Sequence, residues 1–293
     1  MTFGMNFLKY VFSRERCTQV TALTRDVPIL LPSTQLTERV LPQVCVSTAG
    51  VFLVFAAFLR LFRNEKDQVR KYQLAHRFTN IVSFSVLMVI GIYGELFVIP
   101  QKPVDEVATF IQGMEENTVV VTTMFSFQLW SLIVGTVYVN ESPLMRMHHV
   151  AVLVVAVLYA AFTNGFRYHG YYFAGIWEAS SIPLALMNLF RDYPQWKERY
   201  PSLFFVVKAL FAFSFLIVRI WIGTRRAIRY VTDIWLVFSV SFDKPFAYSV
   251  FMFLMAFMST FLGLLQFYWA GLIVSMIAKN AKEILAPRKK KDV

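Results

Sequence analysis

Residues 44–77 read VCVSTAGVFLVFAAFLRLFRNEKDQVRKYQLAHR, and the break in character inside this stretch decides the fold. Up to residue 62 the only charged side chain is Arg60. At about 1.5 Å per residue that run is long enough to cross a hydrocarbon core about 30 Å thick. Residues 60–77 then carry six basic and two acidic residues. An apolar run that ends in a block of Lys and Arg predicts a transmembrane helix followed by a cytosolic connector, because positive charge is retained on the cytosolic side.

The pattern repeats along the chain. Hydrophobic residues make up 57% of the 293 residues and charged ones only 16%, against about a quarter charged in an ordinary soluble domain. Seven apolar runs are candidate spans: 44–62, 78–98, 118–139, 147–163, 169–190, 203–222 and 246–277. The fold class expected is therefore all-α, a polytopic integral membrane bundle of about seven transmembrane helices. The net charge of +11 lies beside apolar spans and forms no soluble domain, which argues against nucleic acid as a partner and for a membrane boundary. Cys17 and Cys45 are too few for a disulfide framework.

Charge also sets an expected topology. The segment KNAKEILAPRKKKDV, residues 279–293, repeats the six basic and two acidic residues of the first connector, six spans later. An even number of crossings returns the chain to the same side, so both segments are expected in the cytosol. Asp105, Glu106, Glu115 and Glu116 suit the opposite face. One connector breaks the rule: residues 223–245 contain Arg225, Arg226, Arg229 and Lys244 on that opposite face. Within it, VTDIWLVFSVSF is expected to lie in the interface or dip back into the protein. The N-terminus lacks the features of a cleaved secretory signal. Its Phe7, Tyr10 and Val11, with Lys9, Arg14 and Arg16, fit a short interfacial helix, a poorly ordered tail or a mitochondrial presequence. Lys290 and Lys291, fourth and third from the end, resemble a dilysine address read by coat machinery and directing return to the endoplasmic reticulum.

Polar side chains at membrane depth are costly and so mark candidate sites. His148 and His149 stand together at the mouth of the fourth span, and adjacent helical residues point about 100° apart. One is expected to face inward and the other to be held at the edge. His148 shares a helical stripe with Val152, Val155 and Tyr159. Neutral imidazole can serve as base or nucleophile in acyl transfer; an interfacial pair bonded to headgroups or carbonyls is the bland alternative. Zinc is disfavoured, since the pair lacks HxxxH spacing and no cysteine or carboxylate cluster stands near it in sequence. Glu178, mid-span, is expected either to pair with Arg219 or Lys208 across two helices or to act as a proton acceptor or orienter of imidazole. Lys208 and Arg219, eleven residues apart, are expected on one helical face.

The ordered segments LMRMHHVAVLVVAVLY, YYFAGIWEASSIPLALMNLFRDYP, FAFSFLIVRIW and LGLLQFYWAGLIVSMIAK resemble the TLC-domain family of endoplasmic-reticulum membrane proteins, which includes the ceramide synthases. The likeness is nearest to its small TLC-domain-containing branch and covers roughly residues 70–282. It implies a bundle of about six to seven helices around a cavity for a lipid chain, with His148 and His149 at the paired-histidine position and Glu178 at the acidic position on the next helix. The chain lacks the HDxxD aspartates of ceramide synthases, and Gln128 stands nearest to where many members carry an aspartate before the pair. These departures weaken the case for sphingoid-base N-acylation.

The domain division expected is an N-terminal tail (1–43), a first helix with its connector (44–69), a TLC-like membrane domain (70–282) and a basic cytosolic tail (283–293). The leading expectation is a multi-pass protein of the endoplasmic reticulum that accommodates a membrane lipid or fatty-acyl chain and acts in lipid metabolism. Gln128, Tyr159, Lys208 and Arg219 are the polar residues assigned to its cavity. An acyltransferase using acyl-CoA as co-substrate, with no bound cofactor or metal, is the second reading, and a cargo receptor or translocation-associated protein the third. A homodimer is compatible with each.

Overall fold

The computed structural model describes Thr18 and residues 35–101, 115–162, 167–240 and 245–285. The expected interfacial helix at the N-terminus, Asp105 and Glu106, Lys290 and Lys291 lie outside the described residues. Every described regular element is helical. Seven are long and apolar enough to cross a membrane: α1 (Leu36–Leu61), α2 (Gln68–Val98), α3 (Thr118–Val139), α4 (Pro143–Ala160), α5 (Tyr171–Asp192), α6 (Pro201–Ser239) and α7 (Phe246–Lys279).

Local chemistry sets the starts. The Asp67 carboxylate accepts from the backbone N–H groups of Val69 and Arg70, at 2.9 and 3.3 Å, and opens α2. Ser142 Oγ accepts from Met145 N–H at 3.3 Å with Pro143 beginning the first turn of α4. Pro194 begins a short helix, Pro194–Arg199, and Pro201 begins α6.

The sixth helix differs from expectation. Instead of ending near residue 222 it runs on to Ser239, and its second half packs against α7. No proline interrupts residues 202–244, and Gly223 keeps helical dihedrals. Continuing the helix also keeps every backbone group paired inside a bundle where water is scarce. Of the basic residues that broke the charge pattern, Lys244 lies outside the described residues, and Arg226 and Arg229 are engaged there. Arg226 makes a bidentate pair with Glu95, at 2.5 and 2.8 Å, and lies 4.3 Å from the centre of the Tyr172 ring; Arg229 Nε is 3.9 Å from Asp233. Among the described residues the count of seven stands.

Six helices form a closed ring in the spatial order α2, α5, α6, α7, α4, α3, while α1 packs outside it against α2 and α3. The α2–α5 crossing is close: a Cβ on Gly175 would stand 2.5 Å from Gly91 Cα, so these helices meet backbone to backbone. The outward faces are apolar, with Leu53, Phe213, Trp221 and Phe246 largely exposed. A polytopic helical bundle with such a surface is a multi-pass membrane protein in contact with the bilayer. The centre of the ring is not filled.

Candidate functional site

Two cavities lie within the ring and share one wall made of His148, Glu178 and Arg219. The upper cavity, about 820 Å³ counting its mouth, is walled mainly by apolar side chains such as Met124, Val152, Val155 and Phe173. Its far end carries Tyr159, Tyr230 and Ser259. The Tyr159 hydroxyl bonds to Tyr230, and Ser259 Oγ lies 3.4 Å from the same phenol. The lower cavity, about 1200 Å³ counting its mouth, has an apolar side that includes Phe211, Phe215 and Ile273. Its polar side includes Arg77, Asn80, Gln128, Glu141 and His149.

The two neighbouring histidines have different environments. His149 is buried and anchored on both ring nitrogens. Nδ1 is 2.5 Å from Gln128 Oε1, Nε2 is 3.1 Å from Glu141 Oε2, and Ser131 Oγ is 3.5 Å away. His148 is half-buried, meets Trp269 edge-on with ring centres 5.2 Å apart, and its Nδ1 is buried with no hydrogen-bond partner. It stands where the two cavities meet.

Glu141 was not singled out from the sequence, although it is the carboxylate that organises this region. Only Asn140, Glu141 and Ser142 separate α3 from α4, and Asn140 adopts the left-handed conformation, φ 51°, that Asn tolerates better than most residues. The sharp turn folds Glu141 back over α3, where a Cβ at Gly135 would lie 2.7 Å from its Oε2. Its other oxygen is 3.9 Å from both His76 Nε2 and Arg77 Nη1. Burial acts to raise the pKa of this carboxyl, but the hydrogen bond and charge of His149, with His76 and Arg77, outweigh it and hold it below the usual value. Arg77 Nε also pairs with Asp192 at 2.9 Å, tying α2 to α5. The visible signal was a lone carboxylate in the shortest connector of the chain, but sequence offered no view of what it folds against.

Glu178 pairs with Arg219 at 3.8 Å, both being buried. Arg219 has stronger partners: Ser180 Oγ at 2.7 Å, Ser181 Oγ at 2.8 Å, the Trp177 carbonyl at 3.1 Å and Gln266 Oε1 at 3.2 Å. The guanidinium is thus a pin joining α5, α6 and α7. Lys208 is not brought to this wall. It is half-buried, its Nζ 5.5 Å from the centre of the Phe204 ring, and it lines neither cavity. The shared face expected for Lys208 and Arg219 assumed a regular α-helix. Residues Phe215–Ile222 instead form wide turns with i→i+5 bonds, which rotate less per residue and swing Arg219 away from that line.

Of the remaining histidines, His76 is fully buried and stacks on Trp130 with ring centres 5.1 Å apart. His169 lies at the other end of the bundle, edge-on to Tyr230 at 5.5 Å. Burial, then the charges of Arg226 and Arg229, push its pKa down to about 3, so it is neutral at physiological pH. No group of three His, Cys, Asp or Glu side chains able to hold a metal ion occurs among the described residues.

A ring of membrane-spanning helices around internal cavities fits the kind of bundle that the sequence resemblance implies. Residues 45–275 match the family model of the TLC domain. The chain belongs to the TLC-domain family. No curated protein and no solved structure matches it. The TLC domain takes in most of α1 and all of α2 to α6, and ends within α7.

Proposed function

We propose that this TLC-domain protein holds a lipid acyl chain inside its helical ring and acts in membrane-lipid metabolism, with the endoplasmic reticulum as its site and its C-terminus in the cytosol. The observation that carries the reading is the pair of cavities sharing His148, Glu178 and Arg219, both mainly apolar in surface, with more polar side chains gathered around the lower one. That division suits an amphiphile with its chain in one compartment and its polar end in the other. Native mass spectrometry of the purified protein in mild detergent tests it. Co-purifying lipid is expected, and it is expected to be lost in Val155→Trp, which fills the upper cavity. An empty wild type, or full occupancy in the variant, overturns the reading.

A second reading, acyl transfer from a donor such as acyl-CoA, is favoured by the unpartnered Nδ1 of His148. Neutral imidazole would attack the thioester carbonyl. A C–N bond forms as the C–S bond breaks, and the departing thiolate takes the proton lost from the ring. A hydroxyl or amine then attacks the acyl-imidazole carbon, the C–N bond breaks, and its proton passes to the ring nitrogen. Glu178 and Arg219 balance charge beside this site, while His149 is a positioning residue. A covalent acyl mass lost in His148→Asn supports transfer; only reversible lipid, with unchanged cellular lipid composition in that variant, excludes it.

A further inference from the structure

We infer that the lower cavity takes a lipid bearing a neutral hydroxyl, and that Asn80 is the residue that receives it. The inference rests on the reading that the ring holds an acyl chain.

Asn80 lies on α2, one turn beyond Arg77, and is 7% exposed. It lines the lower cavity, and its Oδ1 is buried without a hydrogen-bond partner. An amide oxygen withdrawn from water and left unpaired is a standing cost, which a ligand N–H or O–H would remove. Other acceptors on the polar side are committed within the protein: Gln128 Oε1 and Glu141 Oε2 both face His149. The buried polar atoms of this lining without a hydrogen-bond partner are Asn80 Oδ1 and, at the junction of the cavities, His148 Nδ1. A hydroxyl held at Asn80 would share the lower cavity with the imidazole that divides the two compartments.

The charges decide between hydroxyl and ammonium. Arg77 and Arg219 are the cations lining this cavity, and Glu141 and Glu178 the carboxylates. Each carboxylate already faces a partner: Glu141 faces His149, His76 and Arg77, and Glu178 faces Arg219. An ammonium would add a charge where each carboxylate of the lining already lies within 4 Å of a basic side chain, inside a bundle where an unpaired charge is costly. A hydroxyl brings the donor that Asn80 lacks and no charge.

The test uses the full chain in mild detergent with three probes offered together at equal concentration: 1-monooleoylglycerol, methyl oleate and oleylamine. They share a chain and differ in head, and native mass spectrometry separates their complexes. The wild type is expected to carry monooleoylglycerol over methyl oleate by roughly tenfold, the effect of one good hydrogen bond to a buried acceptor, and over oleylamine as well. Asn80→Leu is expected to bring monooleoylglycerol down to parity while methyl oleate still binds. Equal occupancy by all three in the wild type sinks the role of Asn80 but leaves the acyl-chain reading intact. Preference for oleylamine overturns the neutrality argument. Binding of none overturns the acyl-chain reading and this inference together. Because the wild-type ratios alone decide, failure of Asn80→Leu to fold does not protect the inference; an unchanged ratio in a folded Asn80→Leu removes it.

Discussion

At the residue scale, the tight turn between α3 and α4 makes Glu141 the partner of His149, so removing the carboxylate disturbs an imidazole eight positions away. Glu141→Gln is expected to cost about 1–3 kcal/mol at neutral pH, because His149 Nε2, His76 and Arg77 lose their charged partner. The pH dependence has a definite sign. The folded carboxyl is held below its unfolded value, about 4.3. Its contribution is therefore complete above that value and is lost as pH falls through the lower, folded one. Thermal unfolding of wild type and Glu141→Gln should differ most at pH 7 and converge as the pH drops below about 4; a gap that widens in acid refutes the pairing. Arg219 and Glu178 are expected to be unequal partners. Arg219→Met strips four hydrogen bonds and isolates a buried carboxylate, a loss of about 3–5 kcal/mol. Glu178→Gln should be much milder, and adding Arg219→Met to it should not rescue stability, since Arg219 pins three helices whether or not Glu178 is charged. Restored stability in the double variant would show that the 3.8 Å pair dominates.

At the element scale, the seven spans were legible because twenty apolar residues in a row leave one solution for the backbone in lipid. The adjacency of His148 and His149 likewise implied two different surroundings, since helical neighbours diverge. Where reading failed, the cause was geometry that the 3.6-residue period does not encode. The wide turns at Phe215–Ile222 moved Arg219 off the line through Lys208, and Glu141 reached its partners through a turn, not along a helix. The polar residues of 223–239 looked like a connector because their neutralising groups, Glu95 and the Tyr172 ring, lie on other helices. The continuity of α6 gives a sharp test. In a connector Thr224→Pro would be tolerated; in an unbroken helix it removes a backbone bond and clashes with the preceding turn, a cost of about 3 kcal/mol or more. A lowered melting temperature is expected, and an unchanged one would restore the connector.

At the scale of the whole molecule, the ring has two ends with different connections. The Tyr193 hydroxyl donates to the Arg70 carbonyl at 3.1 Å and Arg77 pairs with Asp192, so the α1–α2 and α5–α6 connectors share one end. Lys66, Arg191, Lys197 and Arg199 lie near it, which makes it the end favoured to face the cytosol. Single cysteines at Asn64 and Lys197, in a background without Cys17 and Cys45, should be labelled from the same side of sealed vesicles, and one at Glu116 from the other. Labelling of Asn64→Cys and Lys197→Cys from opposite sides would refute the span count.

The position of α1 outside the ring has a consequence for biosynthesis. Its partners, α2 and α3, are the next two helices to leave the ribosome, so this trio can assemble before the rest exists. The ring itself is completed only when α7, the last of its six helices to be made, reaches α4 and α6. Until then the compartments beside His148 stand open to the membrane on one flank. A lipid present during translation can be enclosed by the arriving helix, with no gate to pass. Protein made in a membrane-free translation system and later moved into detergent should therefore contain less tightly held lipid than protein made on membranes.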